Sequence, residues 1–305
     1  MSGDRDHDPL TAPAGIDALL PNPGRLVAVA GDWHGNDVWA RNVLRSVAAR
    51  GVRVVLQLGD FGVWPGDEGT LFLDEVQRAC QDHDVTVCFL DGNHEDFDQL
   101  EAANRRDDGV AEMRPRVWHL PRASRWTWNG VGFAALGGAT SLDVEDRTAY
   151  VSWWPQEALR PHQHQRLVDR GPVGVLLTHD CPSGSRVPGL SDRWRPTSLD
   201  HARRHRAALQ QTVERVAPHL LLHGHFHAAY RNGLPLADHD VSVIGLDCDG
   251  TAYDRNVVLL DLAELAADID AARAGRAPER DHGLLPPSLS AAVDAWSLRQ
   301  TRGAT

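Results

Sequence analysis

Residues 25–60 read RLVAVAGDWHGNDVWARNVLRSVAARGVRVVLQLGD. An apolar run at 25–30 stops at the glycine-flanked Asp32 and His34, a helical pattern follows over 37–50, and a second apolar run fills 52–58. Val43, Leu44, Val47 and Ala48 share one face of that helix. A further helical stretch at about 69–82 leads to VTVCFL at 85–90. Strands without a polar face, separated by helices, predict β-α-β-α-β in a sheet covered on both sides, hence an α/β protein. A turn after the first strand uses Gly and Asp but has no need of His34, so that strand end raises a functional question.

Residues 118–138 read as short strands with a hairpin at Asn129 and Gly130. Further apolar strands are expected at 173–179, 219–224, 241–247 and 256–262, with helices at 155–169 and 200–217. Residues 1–24 are acidic and rich in Pro and Gly, and read as a disordered leader. Residues 25–262 read as one catalytic domain, and 263–305 as an Ala-rich helical extension interrupted by GRAPERDHGLLPP.

Among 305 residues, 31 are basic, all of them Arg, and 42 are acidic, for a formal charge of −11. That balance argues against bulk nucleic-acid binding. No run approaches the roughly 18 apolar residues of a membrane span. With no basic, apolar start of the secretory kind, a cytoplasmic location is expected. Cys80, Cys88, Cys181 and Cys248 form no C-x-x-C pair and read as reduced thiols.

The strand ends collect metal-binding side chains: Asp32 and His34, then Asp60, then Asn93, His94 and Glu95, then His179, then His223, His225 and His227. Parallel strands bring their C-terminal ends to one edge, where residues distant in sequence meet. Each has an ordinary reading: Asp32 and Asn93 in turns, Asp60 capping a helix, His179 in a core. Five strand ends carrying ligand types together favour a site. Carboxylate, imidazole and amide oxygen suit Mn, Fe, Co, Ni or Zn better than Ca. Even seven ligands drawn from this set would be too many for one ion and would fit two ions sharing a carboxylate. Two ions ~3.5–4 Å apart can clamp an in-line displacement at phosphorus and bring a bound water towards pKa ~7.

The ordered set GDWHG (31–35), LGD (58–60), GNHE (92–95), THD (178–180) and GHFH (224–227) resembles the calcineurin-like metallophosphoesterases. The resemblance implies a two-sheet β-sandwich flanked by helices, with a dinuclear centre at the sheet edge. It implies Asp32, His34 and His227 on one ion, Asn93, His179 and His225 on the other, and Asp60 bridging. Mn is the expected ion, with Fe, Zn, Ni or Co as alternatives. His94 would contact the phosphoryl group and stabilise or protonate the leaving oxygen, and a metal-bridging hydroxide would attack. In the protein Ser/Thr phosphatase branch the second motif resembles G-D-x-x-D-R-G. Here Val63 and Trp64 stand at the later Asp and Arg places, which argues against that branch and leaves His94 without an assigned partner.

For the substrate, residues 137–157 read as a cap. Gly137 and Gly138 turn the backbone, Asp143 and Arg147 form a charged pair, and Trp153 and Trp154 offer flat surfaces; the other reading is a surface ion pair over two core tryptophans. Arg147 could replace the missing phosphate-binding Arg, and Arg186 in the Arg-rich stretch 181–206 is a second candidate. Trp33 and Trp64 either wall the site or pack in the core. The expected activity is hydrolysis of a small or nucleotide-like phosphate mono- or diester. A catalytically inert scaffold, a nuclease and a protein phosphatase are the alternatives.

Overall fold

The computed structural model describes residues 8–190, 194–274 and 293–295. The first half runs β1 (Leu26–Ala30), α1 (Asp37–Ala48), β2 (Val54–Gln57), α2 (Gly66–His83), β3 (Thr86–Phe89), α3 (Phe97–Ala102), β4 (Ala111–Arg114), β5 (Val117–His119), β6 (Ser124–Trp128) and β7 (Val131–Leu136). The second half runs α4 (Pro161–Val168), β8 (Val175–Thr178), α5 (Pro196–Val216), β9 (Leu220–His223), β10 (Tyr230–Pro235), β11 (Asp240–Gly245), α6 (Tyr253–Asn256), β12 (Val257–Asp261), α7 (Leu262–Arg273) and β13 (Val293–Ala295).

One sheet has the strand order β13-β12-β1-β2-β3-β5-β4, the other β10-β11-β9-β8-β7-β6. The apolar strands explain how they stack. Along β1, Val27 and Val29 point between the sheets, where they join Phe133, Val175, Leu177 and Leu222. Ala28 and Ala30 point the other way, into a layer with Val43, Leu44, Phe72 and Val76 of α1 and α2. On the far side of the second sheet, Leu176 and Leu221 pack against Leu209, Val213 and Val216 of α5. The result is the expected helix-sheet-sheet-helix sandwich. No helix among the described residues is long and apolar enough to cross a membrane.

The hairpin turns where expected, with Asn129 and Gly130 both at positive φ, 47° and 81°. Both helix starts expected at 155 and 200 fall elsewhere, for one reason. Pro161 and Pro196 occupy the first helical turns, and the residues before them, Arg160 and Arg195, are extended. The strand β10 was not expected: YRNGLP carries Gly and Pro and sits at a sheet edge, where neither is costly.

The leader is corrected over residues 8–24. Leu10 and Ala12 are buried, and the backbone of 10–12 pairs with Arg122. The polar composition concealed the apolar side chains Leu10, Ala12 and Ala18, which are buried in the body of the protein. Residues 1–7 lie outside the described ones. At the other end, α7 places Leu265 and Ile269 in the core between the sheets, and β13 pairs antiparallel with β12. The expected helical extension therefore begins as part of the sandwich and includes a strand; 275–292 and 296–305 lie outside the described residues.

Arg122 connects three segments. Its fully buried guanidinium pairs with buried Asp91 at 2.6 Å and donates to the carbonyls of Gln156, Glu157 and Ala158. His119 lies 3.2 Å from the other Asp91 oxygen. Burial alone would raise the Asp91 carboxyl, but the Arg122 charge and the hydrogen bond with His119 hold it well below the usual range.

Candidate metal centre

β1, β2 and β3 run parallel in one sheet, and β8 and β9 run parallel in the other. Asp32, Asp60, Asn93, His179, His225 and His227 follow their C-terminal ends. The turns there are strained. His34, Asp60, His225 and His227 have φ of 44°, 49°, 66° and 49°, a left-handed region that non-glycine residues rarely adopt and that concentrates at functional sites. Two glycines make room for the carboxylates: a Cβ on Gly92 would stand 2.1 Å from the Asp60 side chain, and one on Gly224 the same distance from that of Asp32.

Glu95 and His223 serve the scaffold. The buried Glu95 carboxylate accepts the backbone N–H groups of Phe61, Gly62 and Val63, which shapes the turn after Asp60. His223 is buried, with its Nε2 2.6 Å from the Tyr230 hydroxyl. The remaining candidates converge. Ligand-type atoms of Asp32, His34, Asp60 and His227 lie within 4.8 Å of one another, as do those of Asp60, His179 and His225. Asp60 belongs to both groups. Its carboxylate is 3.6 Å from His34 Nε2 and 3.4 Å from His179 Nε2, and Asp32 is 3.2 Å from His227 Nε2. Asn93 joins the second group with Oδ1 3.2 Å from His179 Nε2.

The imidazoles are held from behind. His179 Nδ1 donates to the Leu58 carbonyl at 2.7 Å, and His34 Nδ1 is 2.9 Å from Asp249 Oδ1. Both contacts leave Nε2 facing the carboxylates, the arrangement by which outer partners set the tautomer of a ligating histidine. Asp249 is held in turn by the Asn36 side-chain amide. The sequence reading missed Asp249, although it follows a strand and precedes a glycine, as a site carboxylate can.

Two fully buried carboxylates, Asp32 and Asp60, make the pocket strongly cation-seeking. Burial opposes charge on His34, yet hydrogen bonds to Asp249 and Asp60 raise it to about 11. The hydrogen bond with Asp32 takes His227 to about 10, and the Asp60 charge overcomes burial to lift His179 to about 9. Burial keeps His225 neutral, at about 4. Buried carboxylates, imidazoles directed at them and one amide oxygen form a donor set that fits two divalent ions sharing Asp60.

A cleft of about 300 Å³ opens over this floor, lined among others by Asp60, His94, His225, Leu142, Leu190 and Trp194. The open question of the His94 partner is answered by Arg147. Its Nη2 lies 2.8 and 2.6 Å from the two ring nitrogens of His94, and its Nε is 2.9 Å from Asp143, so the expected Asp143–Arg147 pair forms; Asp143 lines the cleft, whereas Arg147 stands behind it and donates to the Ser152 carbonyl. Burial, aided by the Arg147 charge, lowers the His94 pKa.

Arg186 is corrected: it is exposed and does not line the cleft, although Val187 and Leu190 just after it do. Other arginines of that stretch are engaged in holding the structure. Arg195 pairs with Glu145, Arg204 with Asp200, and Arg206 donates to the carbonyls of Cys181 and Pro182; Arg193 lies outside the described residues. Trp33 and Trp154 are core residues, and Trp64 packs on Gly35. None of the three, nor Trp153, lines the cleft.

The sequence model of calcineurin-like phosphoesterases matches residues 25–229, an interval that begins just before Asp32 and ends just after His227. A comparison with curated proteins finds no match. Among solved structures, the fold is similar to a dimetal phosphatase from Danio rerio, with a TM-score of 0.50 and 12% identity over 79% of this chain and 93% of that one. TT1561 of Thermus thermophilus is matched with a TM-score of 0.46 and 13% identity over 79% of this chain and 96% of that one. The match spans two thirds of the chain and encloses every candidate ligand, so this protein belongs to the calcineurin-like phosphoesterase family.

Proposed function

We propose that the protein is a dinuclear metal-dependent phosphoesterase acting on a small or nucleotide-like phosphate mono- or diester. The observation that carries this reading is the position of Asp60, the one carboxylate common to two adjoining ligand groups. Asp32, His34 and His227 would hold one ion and Asn93, His179 and His225 the other, Mn being the first choice for mixed nitrogen and oxygen donors. Bound there, the ions supply Lewis-acid activation of the ester and of the attacking water.

The chain's own groups complete the reaction. Arg147, held by Asp143 and the Ser152 carbonyl and set against His94, would place its positive charge next to a phosphoryl group bound in the cleft. His94, beside Asp60 at the cleft floor, keeps an N–H to donate to the departing oxygen. The apolar rim at Leu142, Leu190 and Trp194 suits an organic ester group, and the cleft volume suits one small substrate. A net charge of −11 supports a small anion drawn in by metal over long nucleic acid.

Reconstituted with Mn, the protein is expected to hydrolyse p-nitrophenyl phosphate or its bis-nitrophenyl diester, and the ratio of the two rates assigns the ester class. Hydrogen bonds to charged groups contribute about 1.5–3 kcal/mol, so Arg147→Ala should lower kcat/KM roughly 10- to 10²-fold. An unchanged value would remove Arg147 from the substrate site. Asp249→Ala should weaken the ion held by His34 about 10-fold or more, read by metal titration, because the ring loses the partner that sets its tautomer. Unchanged affinity would show that Asp249 has no part in metal binding.

A further inference from the structure

Asn93 differs from the other candidate ligands, because its amide must choose between presenting oxygen and presenting nitrogen. Only the oxygen can coordinate a cation. The flip is settled by residues on another segment. Asn93 Nδ2 donates to Ser141 Oγ at 3.1 Å, and the Ser141 hydroxyl donates to Glu157 Oε2 at 2.5 Å. The Ser141 backbone N–H donates to Glu157 Oε1 at 2.7 Å, which fixes the carboxylate plane. All three residues are at least nine-tenths buried, so water does not compete for these bonds.

The polarity of this chain is what gives it force. In its ionised form the Glu157 carboxylate only accepts, so the Ser141 hydroxyl proton must point towards it. The serine oxygen can then only accept from residue 93, which turns the Asn93 N–H₂ outward and its Oδ1 towards His179, 3.2 Å away. Arg122 keeps the far end in place through the carbonyls of Gln156 and Glu157, and its partner Asp91 stands two residues before Asn93.

We infer that Ser141 and Glu157 are positioning residues that hold the Asn93 amide, by a one-way hydrogen-bond chain, with its oxygen facing the second metal group. This rests on the dinuclear reading, in which Asn93 is a ligand. Neither residue touches the floor formed by Asp60, and both act only through Asn93.

The discriminating variant is Glu157→Gln, which keeps shape and packing but can donate to Ser141. The hydroxyl proton is then free to turn towards residue 93, and the amide loses its enforced direction. Burial lifts the Glu157 carboxyl to about 7, so the experiment is run at pH 8, where it is ionised. Metal-free protein is titrated calorimetrically with Mn²⁺. The wild type is expected to bind two ions per chain, and Glu157→Gln to bind one of them about 10-fold or more weakly, the other unchanged. Ser141→Ala, which removes the hydroxyl, should weaken the same ion, and circular dichroism should show both variants folded. A purely structural brace would make Gln silent. Two wild-type affinities in both variants overturn the relay and leave the dinuclear reading intact. Fewer than two ions in the wild type overturns that reading and the relay with it.

Discussion

Asp60→Asn is expected to lower phosphoesterase kcat/KM by about 10³-fold or more while leaving the metal-free protein folded. Asp60 is the only residue common to both ligand groups, so its loss weakens both ions at once, whereas any other single ligand belongs to one. Metal stabilisation of developing charge is worth several kcal/mol, and each 1.36 kcal/mol is tenfold in rate. The fold should survive because asparagine is nearly isosteric and keeps an oxygen for the N–H groups of Asn93 and His94, both 2.9 Å from Asp60 Oδ1. Steady-state kinetics alongside circular dichroism checks both halves. A soluble, folded Asp60→Asn protein with wild-type turnover would show that the shared carboxylate is not the organising group.

The second large effect falls on stability. Arg122→Ala should destabilise the protein by about 3–5 kcal/mol, the usual cost of removing one partner from a buried ion pair. What remains is Asp91, fully buried, with His119 as its remaining close partner. The carbonyls of Gln156, Glu157 and Ala158 also lose their donor. Urea denaturation of wild type, Arg122→Ala, Asp91→Ala and the double variant measures this, and the double loss should be smaller than the sum because the two residues form one unit. A loss below about 1 kcal/mol for Arg122→Ala would mean that water or rearrangement replaces the pair.

The sandwich and most of its candidate ligand groups were legible because both are written locally. Apolar runs such as VVLQ are buried on both faces, and each ends where ligand-type residues begin. Asp32, His34 and Asp60 could be placed near one another without a structure because the parallel topology brings strand ends together. The residues that hold those ligands were not legible. Asp249 reaches His34 across 215 residues, and Ser141 reaches Asn93 across 48, by contacts that no spacing or periodicity signals. Arg186 misled because nearness to His179 in sequence did not bring it into the cleft. The segment at 8–24 misled for the opposite reason: its polar composition outweighed Leu10, Ala12 and Ala18, the buried side chains that anchor it.

In the proposed function, one carboxylate, Asp60, joins two metal-binding groups into a hydrolytic centre. Metal-depleted protein titrated with Mn²⁺, with bis-nitrophenyl phosphate and the nitrophenyl monoester turnover followed at each addition, tests it most directly. Negligible turnover is expected at zero metal, followed by a rise that saturates at two ions per chain. Full turnover in the depleted protein, or no hydrolysis of either ester with two ions bound, would contradict it.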